Sequence, residues 1–282
     1  MCALRLTRRL SLALLLSIFA VSAFAQAQPA QKPYEPSVGQ EGKDVVWVPT
    51  SQSLVDKMLE IARVTPNDYV MDLGSGDGRT VITAAKRGAR ATGIEYNPNM
   101  IDLSKRNAEK EGVTGKANFM KADLFESDFS QATVITMFLL PDINLKLRPK
   151  ILDLKPGTRI VSNTFTMGEW TDDETATVDE ANGCSYYCTA HLWIVPAKVE
   201  GTWRMQQGEL ALKQSFQMIT GTLKSGNSTA NISNGRLRGD QISFTAAGSQ
   251  YTGRVNGNSI EGTLKGSGAS TWSATRGGKP AY

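Results

Sequence analysis

The 282-residue chain contains a single histidine and three cysteines. One imidazole cannot supply the multi-histidine ligand sets of common zinc sites, and the cysteines are too few for a four-thiolate cluster. No metal is expected, and His191, set in an apolar strand, reads as structural. Net charge is also scarce, 31 cations against 27 anions, or +4. Arg5, Arg8 and Arg9 fall in the first 25 residues, which hold no acid, and removing them lowers the balance to +1. Such a chain lacks the electrostatic footprint for a nucleic-acid backbone, so no nucleic-acid partner is expected. The long apolar run, Leu10 to Val21, falls short of the roughly 20 residues of a membrane-spanning helix. No transmembrane span is expected in the mature chain. With 40% hydrophobic and 21% charged residues, the composition excludes wholesale disorder.

The first 25 residues read as a secretory signal peptide. Arg5, Arg8 and Arg9 form a basic start, an apolar stretch follows, and Ala23-Phe24-Ala25 is a small-x-small cleavage site. Thr7-Arg8-Arg9 hints at the twin-arginine route for pre-folded cargo. The expected location is periplasmic or secreted. Cys2 leaves with the signal, and Cys184 and Cys188 remain. On a continuous strand they would stand about 13 Å apart, beyond disulfide reach. A bond requires the segment to turn, which Asn182-Gly183 favours; the other reading is two thiols.

Residues 26–43, with Pro29, Pro33 and Pro36, read as a linker. Over residues 44–197 strands and helices alternate. Thr50-Ser51 caps a helix carrying Leu54, Val55, Met58, Leu59 and Ala62 on one face. Strands are expected at 69–73, 91–95, 118–120, 133–138 and 158–162. Helices are expected at 79–87, from Pro98 to about Lys110, and at 142–154 with an interruption at Pro149. This order predicts an α/β, Rossmann-like doubly wound domain. Residues 198–282 hold short alternating runs with glycine turns, 14 of the 26 glycines lying after residue 200. They predict a small all-β domain, an antiparallel meander closed as a barrel or packed as a sandwich. Trp203 and Trp272 would pack together to close it.

The chemistry lies in Val70-Met71-Asp72-Leu73-Gly74-Ser75-Gly76-Asp77-Gly78-Arg79. A buried strand ends in an acid, and a glycine-rich turn opens a helix at the carboxyl edge of the sheet, where ligands of such folds bind. A dinucleotide requires Gly-x-Gly-x-x-Gly and a helix N-terminus for its pyrophosphate. Here the spacing is Gly-x-Gly-x-Gly, and Asp72 and Asp77 oppose a pyrophosphate. They suit the sulfonium and ammonium of S-adenosylmethionine. Glu95, ending the second strand 23 residues after Asp72, can accept from ribose hydroxyls. Asp123, after the third strand, is placed for an adenine amino group.

With these residues in view the chain resembles the class I, seven-strand S-adenosylmethionine-dependent methyltransferases. More narrowly it resembles the small protein-lysine methyltransferases that include the ATP synthase c-subunit enzyme. Val48-Pro49-Thr50, the 72–79 loop, Gly93-Ile94-Glu95-Tyr96-Asn97-Pro98 and Phe138-Leu139-Leu140-Pro141 to Lys150 carry the likeness. The resemblance implies cofactor contacts by Asp72, Gly74, Ser75, Gly76, Gly78, Glu95 and Asp123, and lysine N-methylation. The export signal and the β domain depart from that pattern. Thr136-Met137-Phe138-Leu139-Leu140-Pro141-Asp142 lacks the Asn/Asp-Pro-Pro-aromatic run of base-methylating enzymes. Trp47, Thr136 and Asp142 are the candidate acceptor-site residues, and no catalytic base is evident. The first reading is a methyltransferase acting on a protein or small envelope substrate. Two others compete: an exported nucleoside- or S-adenosylmethionine-binding protein without turnover, whose β domain recognises an envelope partner, and an NAD oxidoreductase.

Overall fold

A computed structural model describes residues 32–206, 208–266 and 269–277. The export signal expected at 1–25 lies outside the described residues. The first part of the chain builds β1 (Tyr69–Leu73), β2 (Arg90–Glu95), β3 (Ala117–Lys121), β4 (Val134–Met137), β5 (Arg159–Asn163), β6 (Glu174–Thr177) and β7 (Thr189–Ile194). They form one sheet in the order β3-β2-β1-β4-β5-β7-β6. The first five run parallel, and β7 inserts antiparallel between β5 and β6. The order turns back at β1, so the β1 and β4 ends flank the crevice where a ligand can enter.

Helix α1 (Gln52–Ile61) starts at Ser51, whose hydroxyl accepts from the Leu54 N–H at 3.3 Å. Helix α2 (Arg79–Lys86) follows the glycine loop, and α3 (Pro98–Lys110) opens on Asn97 with proline at its first position. Helix α4 (Pro141–Leu152) runs through Pro149 rather than breaking there. The amide that Pro149 lacks would have met the carbonyl of Leu145, an exposed residue, so water can take that acceptor. Leu54, Val55, Leu59, Val81 and Ala84 bury one face of the sheet against Val70, Ala91, Val134 and Val161. Leu147, Ile151, Phe129, Trp170 and Trp193 cover the other over Met71, Ile135 and Ile160. Both faces are thus filled, as near-continuous apolar strands require.

Nine more strands follow: β8 (Gly201–Met205), β9 (Gly208–Ser215), β10 (Met218–Ser225), β11 (Ser228–Asn231), β12 (Ser233–Arg238), β13 (Gln241–Ala246), β14 (Ser249–Asn256), β15 (Ser259–Lys265) and β16 (Ala269–Thr275). β16 pairs with β8, and β9 pairs with both β8 and β10. β11 and β12 both lie against β10 and act as one bent stave. The result is an eight-stave antiparallel barrel, so the meander closes and is not a sandwich. Trp203, Leu210, Leu237, Phe244, Tyr251, Ile260 and Trp272 fill its interior. Trp203 and Trp272 are both in that core, but they do not pack on each other. Trp272 packs edge-on to Phe244 and Tyr251, and Trp203 carries Arg276 over its ring at 4.5 Å. The glycine at 253 makes room for that packing, because a Cβ there would lie 3.1 Å from the Trp272 ring.

Sheet and barrel belong to one unit beginning at Glu35. Phe216 stacks on Trp170 at 6.0 Å, Gln217 donates to the Thr171 carbonyl at 2.6 Å, and Arg236 pairs with Asp173 at 2.6 Å. The Ala197 N–H donates to the Gly239 carbonyl at 2.9 Å. These contacts gather near the start of β6 and the end of antiparallel β7, the edge opposite the glycine loop.

Candidate active site

The β1–α2 loop is shaped by its own hydrogen bonds. The Gly74 and Ser75 N–H groups both donate to the Ile94 carbonyl, at 2.9 and 3.0 Å. The Gly76 N–H donates to Glu95 Oε2 at 3.0 Å, and the Gly78 N–H to the Ser75 carbonyl at 2.9 Å. These donors are spent inside the protein, so they do not form the row of free N–H groups that a pyrophosphate needs. A dinucleotide is disfavoured here on geometry as well as spacing. Gly76 has φ 54°, and a Cβ on it would meet the Trp47 indole nitrogen at 2.7 Å. Gly78 serves differently from expectation. It does not line the cavity; its absent side chain makes room for Phe119 and Ser104 as it turns the chain into α2.

A cavity of about 470 Å³ opens beside this loop, in the range of small-molecule sites. Of the expected cofactor residues, Asp72, Gly74, Ser75, Gly76, Glu95 and Asp123 line it. Asp72 is buried, and burial pushes its carboxyl up to about 7 despite a 2.6 Å hydrogen bond from the Thr136 hydroxyl. The nearby charges of Asp77 and Glu95 push the same way. Asp77 is itself paired with Arg79, at 2.6 Å through Nη2. Glu95 accepts from the Gly76 and Asn97 N–H groups, one per oxygen, and keeps further lone pairs for a hydroxyl. The Lys43 ammonium bonds the Asp123 carboxylate and holds it below the usual range. Lys43 belongs to a loop pinned by the Gly39 N–H on the Trp47 carbonyl and the Trp47 N–H on the Gln40 carbonyl, at 2.8 and 2.9 Å. Residues 40–43, expected as linker, are therefore part of the cavity wall.

Two acceptor-site expectations need correction. Thr136 is fully buried and off the cavity wall, because the parallel register sets it beside Asp72 and its hydroxyl is used there. Asp142 is exposed in the first turn of α4, outside the cavity. Trp47 does line it. Sequence reasoning also missed Phe165 and Tyr187, which meet Phe138 on the cavity wall. Their only local signal is that Tyr187 stands beside Cys188. The two cysteines are bonded, with 5.7 Å between Cα atoms, so the segment turns.

The ANTKMT methyltransferase domain model matches residues 72–174. A protein-lysine N-methyltransferase of Saccharolobus islandicus is 48% identical over 141 residues, covering 49% of this chain and 88% of that protein. The chain belongs to this protein-lysine N-methyltransferase family. The human ATP synthase c-subunit lysine N-methyltransferase is 36% identical over 128 residues, 45% of this chain and 54% of that protein. A solved RNA methyltransferase of Salinibacter ruber, in complex with S-adenosyl-L-homocysteine, is 44% identical with TM-score 0.50, covering 54% of this chain and 96% of that one. The enzyme is an S-adenosylmethionine-dependent methyltransferase. Its cavity fits that cofactor: Asp72 and Glu95 offer acceptors to cationic and hydroxyl groups, and the Gly74, Ser75, Gly76 and Gly78 N–H groups are used within the protein rather than free for an anion.

The methyltransferase uses Thr136 to support Asp72. Thr136→Val keeps the volume and removes the donor, so S-adenosylmethionine binding at pH 7 should weaken about tenfold, the worth of a hydrogen bond to a charged group. Calorimetry measures this, and unchanged affinity would show that the hydroxyl is idle.

Proposed function

We propose that this methyltransferase methylates the ε-amino nitrogen of lysine in a protein substrate, and that it does so outside the cytosol. The observation that carries the substrate reading is the 48% identity over most of a protein-lysine N-methyltransferase. The cavity supports it. Its acids and aromatic rings suit an amine, and the cations on the same wall, Lys43 and Arg79, are paired with Asp123 and Asp77, although the Salinibacter ruber relative is named an RNA methyltransferase. When bound, S-adenosylmethionine supplies an electrophilic methyl on sulfur. Asp72, Glu95 and the glycine loop would hold it, and the apolar wall at Phe138 and Leu139 would keep water from the reacting face. The acceptor nitrogen must lose its extra proton before it attacks the methyl, and bulk water can take that proton. The export reading rests on the N-terminal pattern and is supported by the bonded cysteine pair. An envelope protein is the partner this location would offer.

The full chain, incubated with methyl-tritiated S-adenosylmethionine and cell extract, should label protein. Hydrolysis should release methyl-lysine. Label that resists protease and is released by ribonuclease would overturn the substrate assignment, and tight binding with no transfer would overturn turnover itself. Mass spectrometry of the protein from cells should find its N-terminus at Gln26, free or cyclised to pyroglutamate, and a chain beginning at Met1 would sink the export reading.

A further inference from the structure

Three aromatic rings converge on one wall of the cavity from distant parts of the chain. Phe138 leaves the end of β4, Phe165 follows β5, and Tyr187 precedes β7. Their centroids lie 5.2 to 6.1 Å apart. The rings touch one another, so they make a continuous π surface facing the cavity.

The chain goes to unusual lengths to hold them. Thr164 has φ 61°, an outlier for a β-branched residue, in a tight turn closed by the Phe165 N–H on the Asn163 carbonyl at 2.7 Å. Buried Asn144 donates to the Phe165 carbonyl at 3.1 Å, and buried Asn163 donates to Thr50 Oγ1 at 3.1 Å. Tyr187 has φ 56° within the five-residue loop closed by the Cys184–Cys188 bond. Cys184 is buried in the core, so the bond ties an otherwise exposed tip to a fixed point; Tyr186 beside it is 84% exposed. Strain of this kind, at two of the three ring-bearing segments, marks a place where position matters.

We propose that the acceptor enters as a cationic amine side chain along the wall of Phe138, Phe165 and Tyr187, and that the Cys184–Cys188 bond keeps Tyr187 on that wall, so capture of the acceptor depends on the oxidised state. This rests on the amine-methyltransferase reading above and adds a specificity surface and a redox condition to it. The wall attracts an ammonium through the ring quadrupoles. A neutral acceptor of equal shape gains only burial. Tyr187 is a binding residue here, and the cysteines are positioning residues.

The test uses the full chain loaded with S-adenosyl-L-homocysteine. Choline and its neutral isostere 3,3-dimethylbutan-1-ol are titrated separately, with the methyl proton resonance as readout. In the oxidised protein choline should bind about fivefold tighter than the isostere and move upfield as it meets the rings. Reduction with a phosphine, or the Cys184→Ser/Cys188→Ser double variant, should bring the ratio close to one while S-adenosyl-L-homocysteine affinity holds. Tyr187→Leu in the oxidised chain should do the same, and Tyr187→Phe should restore the preference. If reduction unfolds the protein, Tyr187→Leu decides alone. Equal binding of the two probes, or a choline preference that survives Tyr187→Leu, overturns the wall as a cation surface. A preference lost in Tyr187→Leu yet intact in folded, reduced protein overturns the redox condition. Failure of the unmodified chain to bind S-adenosyl-L-homocysteine would instead strike the methyltransferase reading beneath it.

Discussion

Asp72→Asn should abolish the pH dependence of S-adenosylmethionine binding and, at the same time, stabilise the ligand-free protein. The Asp72 carboxyl titrates at about 7 because it is buried, with Asp77 and Glu95 nearby. A cationic ligand requires the ionised form. Wild-type affinity should therefore rise about tenfold per pH unit up to about pH 7 and then level off. Asparagine mimics the protonated acid, so the variant should bind weakly at every pH, about 100-fold below wild type at pH 8, the worth of a lost buried charge pair. The stability effect has the opposite sign. The folded value lies above the unfolded value of 3.8, so the ligand-free protein is favoured below about pH 4 and loses stability as pH rises towards 7. Removing the carboxylate should return on the order of 2–4 kcal/mol at pH 8. Calorimetry from pH 5.5 to 8.5 and urea midpoints of the ligand-free chain check the two halves. A wild-type affinity that is flat in pH would refute the assignment of Asp72.

Arg159→Met should cost about 3 kcal/mol, because it strands a buried carboxylate. Arg159, at the start of β5, bonds Asp68 and donates to the Ala62 carbonyl at 2.6 Å. Asp68 also accepts from Thr133 Oγ1 at 2.7 Å and the Thr65 N–H at 2.8 Å. Burial alone would raise its carboxyl, but hydrogen bonds from Thr133 and Thr65 and the Arg159 charge outweigh it and hold the group below the usual range. The folded value is depressed, so its contribution is present above the unfolded value of 3.8 and fades as pH falls. The variant should show a lower urea midpoint at pH 7 and a smaller further loss on acidification. Adding Asp68→Asn should recover part of the deficit, since the stranded charge is then gone. A change under about 0.5 kcal/mol at pH 7 would mean the cluster is solvated, as surface pairs are.

Much of the α/β part was legible because its signals are local. The apolar run at Tyr69–Leu73, the Asn97-Pro98 cap and the glycine loop each reflect neighbours in sequence, and β1, α3 and the loop stand where those patterns put them. What depends on register or distant pairing was not legible. Thr136 sits at a strand end, where acceptor residues are common, and only the parallel alignment with Asp72 shows that its hydroxyl is committed. Strand alternation predicts one buried face for 198–282 equally well in a sandwich or a barrel. The pairing of β8 with β16 and of β9 with β10 decides between them. Phe138, Phe165 and Tyr187 meet only because antiparallel β7 returns alongside β5. No period in the sequence announces that meeting.

The seat of the barrel has a consequence for how the enzyme could work while tethered. The barrel meets the sheet near Gly157 and Ile194, whereas the cavity opens at the opposite edge, beside Gly74 and Glu95. A ligand that bound the barrel would therefore lie away from the cavity mouth. A chain moored in this way would meet each nearby acceptor at an effective concentration set by the mooring, without that grip adding to the affinity that must be undone for product to leave.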